Sequence, residues 1–211
     1  MRIAVLGAGM VGRTIANDLQ ASHEVTSFDI DEGNLGRLKS LNERISVEKA
    51  NLREFDNYAS RLNPFDFVVT AVPGFMGYAC LEAVIKAGKS AADISFFPED
   101  PMKLDALAKQ MGVTIITDAG VAPGMSNYIL GYLDSLITVQ RFECYVGGLP
   151  LFPQPPFLYK APFSPIDVIE EYTRPARLKE SGKIVIKEAL TDRSIIDFPK
   201  PGKLDPESPI S

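Results

Sequence analysis

The chain opens on an apolar run, Ile3-Ala4-Val5-Leu6, that ends in Gly7-Ala8-Gly9-Met10-Val11-Gly12. Beyond the glycines the period changes: Val11, Ile15 and Leu19 recur every four residues, the spacing of one helix face. A second run, Val25-Thr26-Ser27-Phe28, ends in Asp29. The alternation then continues. Leu35, Leu38 and Leu41 predict a helix from near Glu32, residues 45–50 a strand ending before Asn51, and residues 54–62 a helix stopped by Pro64. Residues 65–72 are almost unbroken apolar, as in a central parallel strand buried on both faces, and end in Pro73-Gly74. Leu81, Val84, Ile85 and Ala87 predict a helix closed by Gly88, and residues 91–96 a fifth strand. Leu104, Leu107, Ala108 and Met111 predict a helix closed by Gly112, before a sixth strand at 113–117. Strand and helix in strict succession predict an α/β fold, a Rossmann-type doubly wound parallel sheet.

The texture changes after Asp118. Residues 119–124 read as a loop, and Ser126-Asn127 as the start of a helix whose apolar face is Ile129, Leu130 and Leu133. Phe142, Cys144 and Val146 alternate with Arg141, Glu143 and Tyr145, which predicts a half-buried antiparallel strand. Residues 147–165, with six prolines, form a crossing loop. Ser164-Pro165-Ile166-Asp167 starts a helix that runs to about Tyr172, and Ile184-Val185-Ile186 makes a strand after a turn at Gly182. The chain thus divides into a dinucleotide-binding domain, residues 1–122, and a partial α+β domain, residues 123–211. One or two strands and one helix are too few to bury both faces of a sheet. The expectation is therefore a truncated chain with exposed apolar edges that favour a homodimer.

Composition narrows the partners. A hydrophobic share of 45% supplies a core, and a net charge of −5 offers no basic surface to nucleic acid. No apolar stretch reaches membrane-spanning length. Met1-Arg2 leads directly into the first strand, so no signal peptide and a cytoplasmic location are expected. Cys80 and Cys144, far apart, are expected to be reduced, buried thiols. His23, in the turn after the first helix, reads as a solvated loop residue. One histidine and two scattered cysteines make no zinc constellation, and no G-x-S-x-G accompanies the histidine.

The chemistry is concentrated at the start. Strand, G-x-G-x-x-G, helix, strand and terminal acid is the order of a dinucleotide-binding unit. Gly7 permits the tight turn, Gly9 lets the backbone approach a pyrophosphate, and Gly12 lets the helix pack close to the strand. Met10 and Val11 open the helix whose N-terminus offers its amides to the phosphates. Asp29 accepts both ribose hydroxyls of NAD and repels the 2′-phosphate of NADP, as do Asp31 and Glu32; no Arg or Lys lies between Phe28 and Gly36. NAD is the expected cofactor, and Asp31 also caps the next helix. Ligands of such sheets sit at the carboxyl ends of the strands, which adds Asn51, Thr70, Ala71, Val72, Pro73, Ser95, Phe96, Phe97, Asp118, Ala119 and Gly120. Small residues at 71, 74, 119 and 120 leave room for a nicotinamide ring, unless these are ordinary strand-to-helix turns.

The segments at 93–101 (DISFFPEDP), 118–127 (DAGVAPGMSN), 145–150 (YVGGLP), and 155–177 (PPFLYKAPFSP with IEEYTRPAR) resemble the saccharopine dehydrogenase superfamily. Within it they look most like the archaeal-type L-lysine 6-dehydrogenases. The resemblance implies a Rossmann domain followed by an α+β substrate and dimerisation domain, with NAD or NADP as cofactor and an amino acid as the small-molecule substrate. Members continue well past the point equivalent to Ser211. The implied reaction oxidises the ε-amine of L-lysine to an imine that hydrolyses to 2-aminoadipate 6-semialdehyde. Such an amine must lose its proton, with an unperturbed pKa of about 10.4, to a base or a desolvating pocket. The substrate's α-carboxylate needs a cation and its α-amine an acceptor. Lys160, among Phe157, Tyr159 and Phe163, is the candidate for the base or the cation, against the plainer reading of a surface lysine packed on those rings. Arg174 and Arg177 are alternative carboxylate clamps. Asp93 and Asp118 are candidates to hold the α-amine or orient the nicotinamide amide, or else they cap loops. Ser126 and Asn127 cap their helix first and contact ligand second. A saccharopine-type or carboxynorspermidine-type dehydrogenase is the nearest alternative, and a catalytically silent NAD-binding module is the alternative of another class.

Overall fold

The computed structural model describes residues 1–146, 150, 152, 154–156 and 164–191. The chain runs β1 (Arg2–Leu6), α1 (Met10–Leu19), β2 (Glu24–Asp29), α2 (Glu32–Leu41), β3 (Ser46–Lys49), a 3-10 turn at Phe55–Asn57, α3 (Tyr58–Leu62) and β4 (Phe67–Thr70). It continues α4 (Gly74–Lys86), β5 (Ala91–Asp93), a 3-10 turn at Pro101–Leu104, α5 (Asp105–Met111), β6 (Ile115–Ile116) and α6 (Met125–Leu136). After it come α7 (Pro165–Thr173), β7 (Ala176–Glu180) and β8 (Lys183–Lys187). The first six strands form one parallel sheet in the order β3-β2-β1-β4-β5-β6. The chain therefore reverses direction across the sheet between β1 and β4, and a crevice opens at their carboxyl ends.

Why β1 and β4 read as unbroken apolar runs is now plain. Ala4, Leu6 and Val68 enter one core with Leu62, Leu81 and Val84 of α3 and α4. Ile3, Val5 and Val69 enter a second with Ala16 of α1 and Leu35 and Leu38 of α2. Both faces are covered, so neither strand has a polar side to show.

Compact packing divides the chain into two units, the first Met1–Val168, the second beginning at Ile169. Among the described residues of the second unit, β7 and β8 form an antiparallel hairpin pairing Ala176 with Lys187 and Glu180 with Lys183. Among the described residues no helix is long and apolar enough to cross a membrane.

Several expectations need correction. Leu35 and Leu38 of α2 are buried, and Ile15 and Leu19 of α1 pack partly buried against the same core beside the buried Gly12 and Ala16. Only the end members of those apolar faces, Val11 and Leu41, fall outside the core, at 39% and 58% exposed. The strands at 65–72, 91–96 and 113–117 are shorter than their apolar runs, because each ladder ends where its neighbour turns away. Residues 141–146 form no strand and are exposed, since alternation needs a partner to pair with and none is present among the described residues. Cys144 is exposed with them, while Cys80 is buried as expected. Conversely, β7 is a strand that the sequence reading did not place: its alternation, Ala176-Arg177-Leu178-Lys179, is short and carries a single large apolar side chain. Its signal was the Ser181-Gly182 turn, where φ is 48° and 80°, the left-handed pair of a two-residue hairpin.

Candidate functional site

The crevice begins at Gly7, whose N–H donates to the Phe28 carbonyl (2.8 Å) and whose φ of +108° only glycine adopts freely. A Cβ there would collide with the Ala71 carbonyl, so the turn lies directly on the end of β4. A Cβ at Gly12 would collide with the Gly7 carbonyl, which seats α1 against the turn. Gly9 is different: a Cβ would meet nothing within 4 Å. Gly9 also occupies the N-cap of α1 without a side-chain cap, so the first-turn amides face open space with the positive end of the helix. Met10 and Val11 are exposed beside them. This arrangement, an uncapped helix end beside a Cβ-free approach, fits a pyrophosphate.

Asp29 closes the turn from β2. Its Oδ2 accepts from the Ala8 amide (2.7 Å) and lies 3.4 Å from Asn34 Nδ2, and its Oδ1 accepts from the Asp31 amide (2.9 Å). Asp31 caps α2 through the Asn34 amide (3.1 Å), as its position predicted. No cation lies between Phe28 and Gly36 along the chain, but two come close in space. Arg37 donates to Asn34 Oδ1 (3.0 Å), and Lys49, in register with Asp29, pairs with Glu32 (2.7 Å). The Lys49 bond and charge hold the Glu32 carboxyl below the usual range. Asn51, exposed beyond β3, accepts from the Arg53 amide (3.2 Å) and donates to Glu54 (3.2 Å). Across the switch point the Ala71 amide donates to Leu6 (2.8 Å), Val72 is buried, and Pro73 precedes α4. Gly74 does not leave room for a ring: a Cβ there would collide with the Phe96 carbonyl, so its size serves the packing of α4.

The other end of the crevice is acidic. Asp93 is fully buried and accepts a hydrogen bond from Thr70, its register partner on β4. Among the described residues its Oδ2 and the Ser95 Oγ have no partner in hydrogen-bonding geometry. Burial pushes the Asp93 carboxyl up to about 6, against the lowering effect of Thr70 and Ser95 and with a further rise from Asp118. Asp118 is solvent-reachable, with φ at 54°, yet its surroundings displace enough water to raise its carboxyl too. The loop after it is held down: Ala119 N–H donates to Asp93 O (2.8 Å), Met125 N–H to Gly120 O (2.8 Å), and Tyr128 Oη to Thr117 O (3.2 Å). Gly124, not Ser126 or Asn127, sits at the N-cap of α6, and those two lie within its first turn. Arg174 is paired with Glu170, and Arg177 lies on β7 opposite Ile186; both belong to the second unit. Lys160 lies outside the described residues.

The structure thus gathers the glycine turn, Asp29 and residues 71–73 at the switch point, and Asp93, Asp118 and Gly120 at the ends of β5 and β6. It adds Asn34, which sequence reasoning missed, and gives Ala8, Thr70 and Ser95, already placed at the carboxyl ends of the strands, their partners: Ala8 donates to Asp29, Thr70 donates to Asp93, and Ser95 lies beside Asp93.

Comparison with known proteins extends these observations. The model of the saccharopine dehydrogenase NADP binding domain matches residues 3–116, and that of the saccharopine dehydrogenase C-terminal domain matches residues 120–207. Mitochondrial alpha-aminoadipic semialdehyde synthase of Rattus norvegicus is 21% identical over 194 residues, covering 87% of this chain and 21% of that one. A saccharopine dehydrogenase [NADP(+), L-glutamate-forming] of Pyricularia oryzae is 25% identical over 127 residues, covering 56% and 28%. The chain thus spans about a fifth to a quarter of the length of these curated relatives. The apo saccharopine dehydrogenase (L-Glu forming) of Saccharomyces cerevisiae shares the fold at a TM-score of 0.63, with 18% identity, over 89% of this chain and 44% of that one.

Proposed function

The chain belongs to the saccharopine dehydrogenase family, and from that premise we propose that it is an NAD-dependent dehydrogenase that oxidises the ε-amine of L-lysine to 2-aminoadipate 6-semialdehyde. One observation carries the dinucleotide reading: Asp29 reaches the Ala8 amide inside the glycine turn while α1 begins uncapped beside it. In this reading Gly7, Gly9, Met10, Val11 and Gly12 cradle the pyrophosphate and Asp29 accepts the ribose hydroxyls. Asn51 borders the adenosine, and Ala71, Val72, Pro73, Asp118 and Gly120 border the nicotinamide half. The bound nicotinamide supplies the hydride acceptor. Lys160 takes the amine's proton or pairs with the substrate carboxylate, with Ser126, Asn127, Arg174 and Arg177 as further substrate contacts. Asp93, shut behind Thr70, sets the charge at the end of β5. The division at residue 122 separates the dinucleotide half from a substrate and dimerisation half, and a homodimer is proposed through the latter.

NAD is favoured by three carboxylates at one place, Asp29, Asp31 and Glu32, which oppose a 2′-phosphate. Replacing Asp29 by Ala is expected to weaken NAD about tenfold or more, by removing charge-assisted hydrogen bonds, and to relax discrimination against NADP. Unchanged affinities for both nucleotides in calorimetry contradict this role for Asp29. A second reading, oxidation of saccharopine in place of lysine, is favoured by the activity for which the Pyricularia oryzae relative is named. Incubating the protein with NAD or NADP and each amino acid, and following the absorbance of reduced nicotinamide, separates the two. Turnover of lysine supports the first reading and turnover of saccharopine alone the second. Nucleotide binding without turnover of any amine indicates a silent module.

A further inference from the structure

The ends of β3 and β4 are not neighbours: β2 and β1 lie between them. With about 4.8 Å between adjacent strands, the two ends stand about 14 Å apart. Yet two side chains that follow them meet. Arg53, just beyond β3, places its guanidinium carbon 5.1 Å from the ring centroid of Phe75, in the first turn of α4. Leu52, beside Arg53, shares one core with Leu6 of β1, Phe28 of β2 and Leu81 of α4, so the pair meets on the sheet face that α4 covers, next to the strand ends that carry Gly7 and Asp29. Its base is fixed, because the Arg53 amide donates to Asn51 Oδ1 (3.2 Å). Its far end is open, with Phe75 57% exposed.

An exposed aromatic ring covered by a planar cation adds little to folding, but it offers two flat faces at the rim of a groove. Flat faces of this kind recognise a nucleobase by stacking. We propose that Phe75 and Arg53 form the seat of the adenine ring: the guanidinium lifts from Phe75, and the base stacks between them, over the ribose held at Asp29. This inference rests on the dinucleotide reading above and assigns residues that reading did not include.

The test uses the 211-residue chain with ADP-ribose in calorimetry and with its 1,N6-etheno analogue in fluorescence. Wild type is expected to bind both, with the etheno emission altered by stacking. Phe75→Ala is expected to weaken ADP-ribose about tenfold or more and to abolish the emission change, while Phe75→Trp restores both. Arg53→Ala is expected to act similarly and Arg53→Lys to recover little, since lysine keeps the charge but not the plane. The thermal midpoints of the nucleotide-free variants should match wild type. Binding as tight as wild type in Phe75→Ala and Arg53→Ala, or full recovery with Arg53→Lys, overturns the seat alone. Failure of wild type to bind ADP-ribose overturns the seat together with the dinucleotide reading beneath it.

Discussion

Asp29 and Asp93 each stand at the last position of a parallel strand, β2 and β5, at the same edge of one sheet. Their surroundings differ. Asp29 is partly open and is met by two main-chain amides and the side chain of Asn34. Asp93 is fully enclosed, receives one hydroxyl, leaves Oδ2 without a partner and faces a second carboxyl at Asp118. Fixed donors hold the first carboxylate in one orientation at the mouth of the crevice. Desolvation leaves the second poised between its two protonation states. The same residue type in the same topological place thus serves as an anchor at one end of the crevice and a titrating group at the other.

The largest expected effect tests the anchor end. Gly12→Ala places a Cβ inside the Gly7 carbonyl group, 2.9 Å from its carbon, and this obstacle is backbone. Neither α1 nor the turn can yield without uncoupling Ala8 from Asp29. The expected cost is about 3 kcal/mol or more in urea unfolding, with nucleotide binding lost alongside. A variant with the wild-type midpoint and affinity would remove the rigid turn from the account.

A smaller effect tests the titrating end. Asp93 is raised from 3.8 to about 6. Between those values the native chain keeps a proton that the unfolded chain has released, so the contribution of this group is fully present below about pH 4 and is lost as the pH rises through about 6. Asn at this position keeps an acceptor for Thr70 and never ionises. Asp93→Asn is therefore expected to match wild type near pH 4 and to exceed it by about 2–3 kcal/mol at pH 7.5 in urea unfolding. A difference independent of pH would make Asp93 an ordinary structural carboxylate and erase the contrast with Asp29.

How much of this could be read from the sequence follows from the range of each interaction. The glycine turn, the acid after β2, the Asp31 cap and the Ser164-Pro165 helix start are local, and the chain states them within a few residues. The two-faced burial of β1 and β4 is also local, because a strand covered on both sides shows no polar alternation. Facts that depend on partners brought from afar stayed hidden. Whether residues 141–146 pair, that the apolar faces of α1 and α2 leave the core at Val11 and Leu41, and that Arg37 returns to Asn34 all depend on neighbours in space. The Asp93 proton belongs here too, since Thr70 and Ser95 set it across two strands. The contact of Arg53 with Phe75 is of the same kind, since 22 residues separate the two along the chain.

The finest division lies within the glycine turn itself, and Gly9→Ala isolates it. Gly9 has φ −64° and ψ −169°, backbone angles that alanine adopts without strain, and a Cβ there meets nothing within 4 Å. Alanine is a poorer N-cap than glycine but loses less freedom on folding, so the two effects oppose each other and stability should move by no more than about 0.5 kcal/mol. The protein has no steric use for glycine at this position, in contrast to Gly12, three residues on. What remains is the space outside the chain, where a pyrophosphate would approach the α1 amides. Gly9→Ala is therefore expected to keep the wild-type melting point while ADP-ribose affinity falls about tenfold, the loss of roughly one main-chain contact to a charged group. If the affinity stays unchanged, the phosphates do not pass this glycine, and the anchor at Asp29 must hold its ligand from another side.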